Sequence, residues 1–169
     1  MIAEADILNE LVKQATHAPV EKRAITSHKV LNEAYHYASP VSFSRGMRID
    51  LGNLVILFIS GTASIDENGQ TVHVGDLRAQ IRRTYYNITG LLESEGATWH
   101  DIVKTTCYLR DIGRDYDVFN EERTTFFQSQ GLNPLPASVG VQAILCRPEL
   151  LVEIEAIAMF KKNSSNSAE

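Results

Sequence analysis

Glu153 has the most unusual setting of any carboxylate in this chain. It lies in Leu151-Val152-Glu153-Ile154-Glu155-Ala156-Ile157-Ala158, a stretch dominated by apolar residues, where an unpaired charge is costly. Burial raises the pKa of a carboxylic acid, and such a group suits proton donation near neutrality. The alternative is a structural carboxylate paired at an interface between chains. Just before it, Arg147 offers a guanidinium to a substrate carboxylate or pairs with a nearby acid such as Glu149. Arg45 presents the same choice, whereas Arg48 falls on the opposite face of a regular strand and reads as a surface or interface charge. Cys146 lines a site or packs as a small hydrophobe, and no base stands beside it to make it a nucleophile. Gly61, at a strand end, lets backbone approach a ligand or turns the chain. Asn120 donates to a ligand carbonyl or packs locally. The 5 histidines show no metal-ligand spacing, and no glycine-rich phosphate loop is present, so neither a metal nor a cofactor is predicted.

These residues need elements to hold them. Ile7, Leu8, Leu11 and Val12 form one stripe and predict a short helix over 5–14, followed by an irregular, partly helical lead-in to residue 39. Strands are predicted at 43–49 and 55–60, joined by the turn Asp50-Leu51-Gly52-Asn53. Asp76 is a good N-cap, and Leu77, Ile81, Tyr85, Ile88 and Leu92 recur at helical spacing to Glu93, before Gly96. A third strand spans 102–109. Tyr116, Phe119, Arg123 and Phe126-Phe127 mark a second helix that stops before Gly131, and strands at 137–144 and 150–159 complete the chain. The fold class is α+β, ordered β-β-α-β-α-β-β, and its two helices can cover one face of the sheet. Both alternating residue sets of 55–60 are apolar, so the other face should be buried by partner chains.

Composition narrows the function. The chain has 169 residues, enough for one domain with a real core. A net charge of -5 opposes a nucleic-acid protein built on a basic face. Two cysteines far apart suit reduced thiols in a cytoplasmic protein better than a disulfide scaffold. The longest apolar run, 54–59, is too short to span a bilayer, and no targeting segment is visible.

From Ser39-Pro40 to Ala158 the chain resembles the Rid (YjgF-like, reactive-intermediate deaminase) family. The resemblance is carried by Asp50-Leu51-Gly52-Asn53, Ile59-Ser60-Gly61, Gly96-Ala97, Asp101-Ile102-Val103-Lys104-Thr105-Thr106, Asn120 before Phe126-Phe127, Pro136-Ala137, and Glu153-Ile154-Glu155-Ala156-Ile157-Ala158. It implies a chorismate-mutase-like fold and a homotrimer whose sheets form a barrel with ligand clefts between subunits. The implied organisation is an extension over 1–38, a Rid-like domain over 39–160 and a disordered polar tail over 161–169.

Such proteins hydrolyse reactive enamines and imines to keto acids and ammonia, and hold the ligand carboxylate with an arginine directly after the Pro-Ala pair. Here that position is Ser138, and Arg45 stands where the family usually has an aromatic residue. Gly61-Thr62-Ala63-Ser64-Ile65, His73 with Gly75-Asp76, and Cys146-Arg147-Pro148-Glu149 running to Glu153 also resemble the Rid-like half of chorismatases, enzymes that release pyruvate from chorismate. That likeness implies active-site positions for Cys146 and Glu153, with Glu153 the proton donor. The expectation is a hydrolase of a small unsaturated carboxylate, with Glu153 catalytic and Arg45, Gly61, Asn120, Ser138, Cys146 and Arg147 binding. A non-catalytic metabolite-binding module is the alternative. Ribonuclease activity, also linked to the family, fits an acidic chain without a basic stripe least well.

Overall fold

The computed structural model describes residues 20–36 and 41–162. The expected helix over 5–14 and the polar tail beyond residue 162 lie outside the described residues. The element order is β1 (Lys22–Ala24), β2 (Gly46–Leu51), β3 (Leu54–Ala63), α1 (Leu77–Glu93), β4 (Ile102–Leu109), α2 (Ile112–Ser129), β5 (Ala137–Gln142) and β6 (Val152–Lys161). One six-stranded sheet runs β1-β2-β3-β6-β4-β5, in which, among the described residues, β4 and β5 pair parallel and the other neighbours antiparallel.

The first helix begins at the predicted cap, and the second begins at a cap that sequence reasoning does not name. The Asp76 carboxylate accepts from the Ala79 amide and Asp111 accepts from Arg114, each satisfying a donor that the first helical turn leaves open. The apolar stripe of α1 packs with Phe119 and Phe127 of α2 against Val55, Leu57 and Ile59 of β3 and Val152, Ile154, Ala156 and Ala158 of β6 in one core. The other face of the sheet is bare in the single chain: Phe58 is 43% and Met159 41% exposed.

The lead-in departs from expectation. It adds the short strand β1, paired antiparallel with β2, and a 3-10 turn over Ala34–His36. Three strand residues carry too little periodicity to be read from sequence, and their pairing is a long-range event. Ile25, Leu31 and Ala34 are buried, and Ser27 Oγ donates to the Gly90 carbonyl of α1 at 2.9 Å. Other boundaries shift slightly. The second strand begins at Gly46 rather than residue 43, although Ser44 and Arg45 still accept hydrogen bonds from Ser60. The fifth strand ends at Gln142, because the Ala143 amide turns to the Leu109 carbonyl.

Gly90 is where the lead-in docks. A Cβ there would lie 2.6 Å from both Val30 methyl carbons. Alanine in a helix interior gains about 1 kcal/mol over glycine, while overpacking a core costs about 1–3 kcal/mol. Gly90→Ala is therefore expected to lose about 1 kcal/mol net, read from the urea midpoint; a stabilised variant would mean that the lead-in yields freely.

Candidate active site

Four segments surround a cleft of about 560 Å³ lined by Leu31, Val41, Phe43, Arg45, Gly61, Cys146, Arg147, Leu150 and Glu153 among others. The structure thus brings together Arg45, Gly61, Cys146, Arg147 and Glu153, which are far apart in sequence. A smaller hollow of about 360 Å³ shares Phe43 and Ser60 with it and extends over the bare sheet face towards Phe58, Lys104, Thr106 and Glu155. The cleft rather than the hollow holds the acid, both arginines and the thiol.

The register between β3 and β6 shifts between Ile59 and Thr62, which places Gly61 against Glu153. A Cβ built on Gly61 would overlap Glu153 Oε1. Glycine leaves this space to the carboxylate without an unusual dihedral, and a side chain there would displace the Glu153 carboxylate. Burial, with a contribution from the nearby Glu155 carboxylate, pushes the Glu153 carboxyl above the ordinary glutamate range.

Arg45 is buried, and its Nε donates to the Asn32 carbonyl at 3.0 Å. Burial lowers its pKa, and the Glu33 carboxylate opposes that shift. Arg147 donates through Nη1 to the Gly69 carbonyl at 2.7 Å, which ties its loop to the turn after β3. Arg48 lies outside the cleft and pairs with Asp50 at 2.9 Å and Glu95 at 3.1 Å. Of the two alternatives for Cys146, packing as a buried hydrophobe is set aside, because the residue is exposed and lines the cleft, while Cys107 is the buried thiol. Both are free.

The loop bearing Cys146 and Arg147 is held by two side chains that sequence reasoning missed. Arg110 donates to the Leu150 carbonyl at 2.6 Å and to the Arg147 carbonyl at 2.5 Å. Gln80, fully buried on α1, donates to the Glu149 and His73 carbonyls and accepts from the Leu151 amide at 2.9 Å. A glutamine beside the apolar stripe of a helix was the available signal, but its partners become visible only when the chain folds. His73, with φ of 60°, serves this scaffold through its backbone.

Asn120 and Ser138 lie elsewhere, joined by a residue that the sequence suggested only as a helix marker. Arg123 donates to Asn120 Oδ1 at 2.6 Å and to Ser138 Oγ at 3.2 Å, with its guanidinium carbon 5.3 Å from the centre of the Phe119 ring. Among the described residues no carboxylate forms an ion pair with Arg123. Thr105 Oγ1 donates to Ser138 Oγ at 3.0 Å. The Ser138 side chain is on the helix-covered face, Glu153 is on the bare face, and β4 separates their strands. Within one chain the two clusters are apart. Among the described residues no group of three or more His, Cys, Asp or Glu is placed to hold a metal ion, and no helix is long and apolar enough to cross a membrane.

The raised pKa of Glu153 has a consequence for stability. The folded chain binds this proton more tightly than the unfolded chain, so the contribution is fully present below the ordinary glutamate pKa of about 4.3 and is lost as pH rises through the folded value. Glu153→Gln is expected to gain stability over the wild type as pH is raised from acid to neutral, with the two converging in acid. Urea unfolding across pH checks this, and a difference independent of pH would show that the carboxyl is not held neutral by burial.

Comparison with known proteins places this architecture. Residues 36–160 match the model of the family described as endoribonuclease L-PSP. The chain is 34% identical to the 3-aminoacrylate deaminase RutC of Acinetobacter baylyi over 103 residues, 61% of this chain and 78% of that protein. It is also 34% identical to a RutC family protein of Pyrococcus abyssi over 110 residues, 65% of this chain and 81% of that protein. Among solved structures, the YjgF gene product of E. coli superimposes with a TM-score of 0.64 at 28% identity, covering 80% of this chain and 97% of that one. E. coli TdcF with bound serine does so with a TM-score of 0.62 at 25% identity, covering 79% and 99%. The sheet with two helices on one face, the cleft at the β3–β6 register shift and these matches together establish that the chain belongs to the endoribonuclease L-PSP family, the Rid proteins.

Proposed function

We propose that this protein is a cytoplasmic deaminase that hydrolyses a small enamine or imine carboxylate in clefts between the subunits of a homotrimer. The observation that carries the reading is the Glu153 carboxyl, seated against Gly61 in the cleft and held protonated more readily than an ordinary glutamate. The likeness to a relative named 3-aminoacrylate deaminase supports the same chemistry. Glu153, directly or through a water, gives a proton to the terminal carbon of the enamine, which becomes an iminium. Water then adds to the iminium carbon, and its proton returns to the carboxylate. Glu153 then protonates the nitrogen while the new hydroxyl gives its proton to the carboxylate, ammonia leaves and a 2-oxo acid remains, so the reaction consumes one water and regenerates Glu153. Arg45 and Arg147 line the cleft, and Cys146 stands at its exposed part.

The missing arginine at Ser138 has a candidate replacement. Arg123 brings a guanidinium to 3.2 Å from Ser138 Oγ and is held by neutral oxygens, which leaves its charge for a carboxylate. In this reading a neighbouring copy brings its Arg123, Asn120 and Ser138 to the cleft, while apolar residues such as Phe58 and Met159 are covered by the assembly. A protein that binds a small metabolite without turning it over is the second reading, favoured by the serine at position 138 and by the serine bound to TdcF.

Pyruvate release should be followed from freshly generated 2-aminoacrylate and, side by side, from chorismate. The wild type is expected to accelerate release from 2-aminoacrylate, with Glu153→Gln slower by about 100-fold or more, the usual range for a general acid–base group. Release from chorismate alone would replace deamination with vinyl-ether hydrolysis, and silence on both would favour the binding role. Gly61→Ala should lose activity by about 100-fold without unfolding, because a shift of about 1 Å in a catalytic group costs that much. Full activity in that variant would overturn the role given to the Glu153 position.

A further inference from the structure

The family match begins at residue 36, yet part of the cleft wall lies ahead of it. Leu31 lines the cleft, and the Asn32 carbonyl accepts from Arg45 Nε at 3.0 Å. Glu33 is 1% exposed, and among the described residues neither of its carboxylate oxygens has a hydrogen-bond partner. Its charge acts on Arg45.

These residues are firmly seated. Ser27 caps the approach to α1 through the Gly90 carbonyl, and Val30 fills the space that Gly90 leaves open. The Leu31 amide donates to the Ser27 carbonyl at 3.0 Å, and the Val41 amide donates to the Ala34 carbonyl at 3.2 Å. Leu31 is 1% exposed, so its side chain is part of the core and part of the cleft wall at once. With Val41, Phe43, Ile65 and Leu150 it forms the apolar side of the cleft, opposite in character to Arg45, Arg147 and Glu153.

We infer that the lead-in over residues 27–34 is a specificity element in which Leu31 limits the length of the apolar substituent a carboxylate ligand can carry and Asn32 positions Arg45. This rests on the functional reading above and names which members of that substrate class the cleft accepts. A wall built from a docked, well-packed segment cannot retreat as an exposed loop could, so a longer substituent meets a core side chain. Leu31 is a positioning and selectivity residue and takes no part in the chemistry.

The test is calorimetric binding of two product-like acids, 2-oxobutyrate and 4-methyl-2-oxopentanoate, to the full chain and to Leu31→Ala, with Leu31→Val as the milder variant should the first lose its fold. The wild type is expected to prefer the shorter acid. Truncation should move the affinity ratio towards the longer acid by about tenfold or more, the discrimination that one methylene earns in an apolar pocket. Leu31→Met, which keeps the volume, should retain the wild-type ratio. If both affinities fall together, or the ratio stays unchanged in a folded variant, Leu31 is structural and the inference fails while the deaminase reading stands. If the wild type binds neither acid and turns over no enamine, the functional reading fails and this inference falls with it.

Discussion

The Glu153 carboxyl occupies the volume that a side chain at residue 61 would take, so the position of the acid depends on a glycine there. That contact exists because the β3–β6 ladder slips between Ile59 and Thr62. A regular ladder would carry its alternation straight through, and one slipped position changes which side chains share a face. The slip ends regular pairing beside the cleft and leaves the acid on a strand that is otherwise part of the core. The raised proton affinity of Glu153 follows from that placement, since burial penalises the charged form and the acid at Glu155 adds to the penalty.

The cleft is irregular backbone on three sides, and such backbone must find partners for its polar groups. Helix α1 supplies many of them from its buried face. Asn87 donates to the Ala63 and Ile65 carbonyls at 3.0 and 2.9 Å, and Gln80 clamps the loop before β6. Each buried amide replaces bonds that water would otherwise make, so removing one leaves uncompensated groups on both sides. The same helix therefore closes the core and organises the cleft. The helix pair is further tied on its outer side by Arg78 and Arg82, which both bond to Glu122.

The second cluster is gathered around Arg123 of α2. Ser138 carries no charge, and its hydroxyl accepts from Arg123 of α2. Stacking over Phe119 and a bond to Asn120 restrain the guanidinium further. The arrangement lies along β5, an edge strand whose residues are all exposed, with Val139 and Val141 among them. An exposed apolar edge of this kind is a liability in an isolated chain.

The sequence by itself determined the elements that repeat locally. The helix over 77–93 carries a cap, a stripe and a stop within one window, and the strand over 102–109 is rich in β-branched residues. The unusual setting of Glu153 was also legible, because a carboxylate among alternating apolar residues is a local pattern. The family motifs then singled out Gly61, Cys146 and Glu153 by position, and with Arg45 and Arg147 they meet in one cleft. Only the tertiary structure decided that the Glu153 carboxylate takes the space beside Gly61, that Cys146 is exposed, and that Asn120 and Ser138 belong to a separate cluster centred on Arg123. It alone revealed Leu31 as a cleft residue and the lead-in as a strand and docked segment. In each of these cases the cause is a contact between residues distant in the chain. No periodicity or spacing encodes such a contact, because it depends on the register of strands and on which helix lies above them.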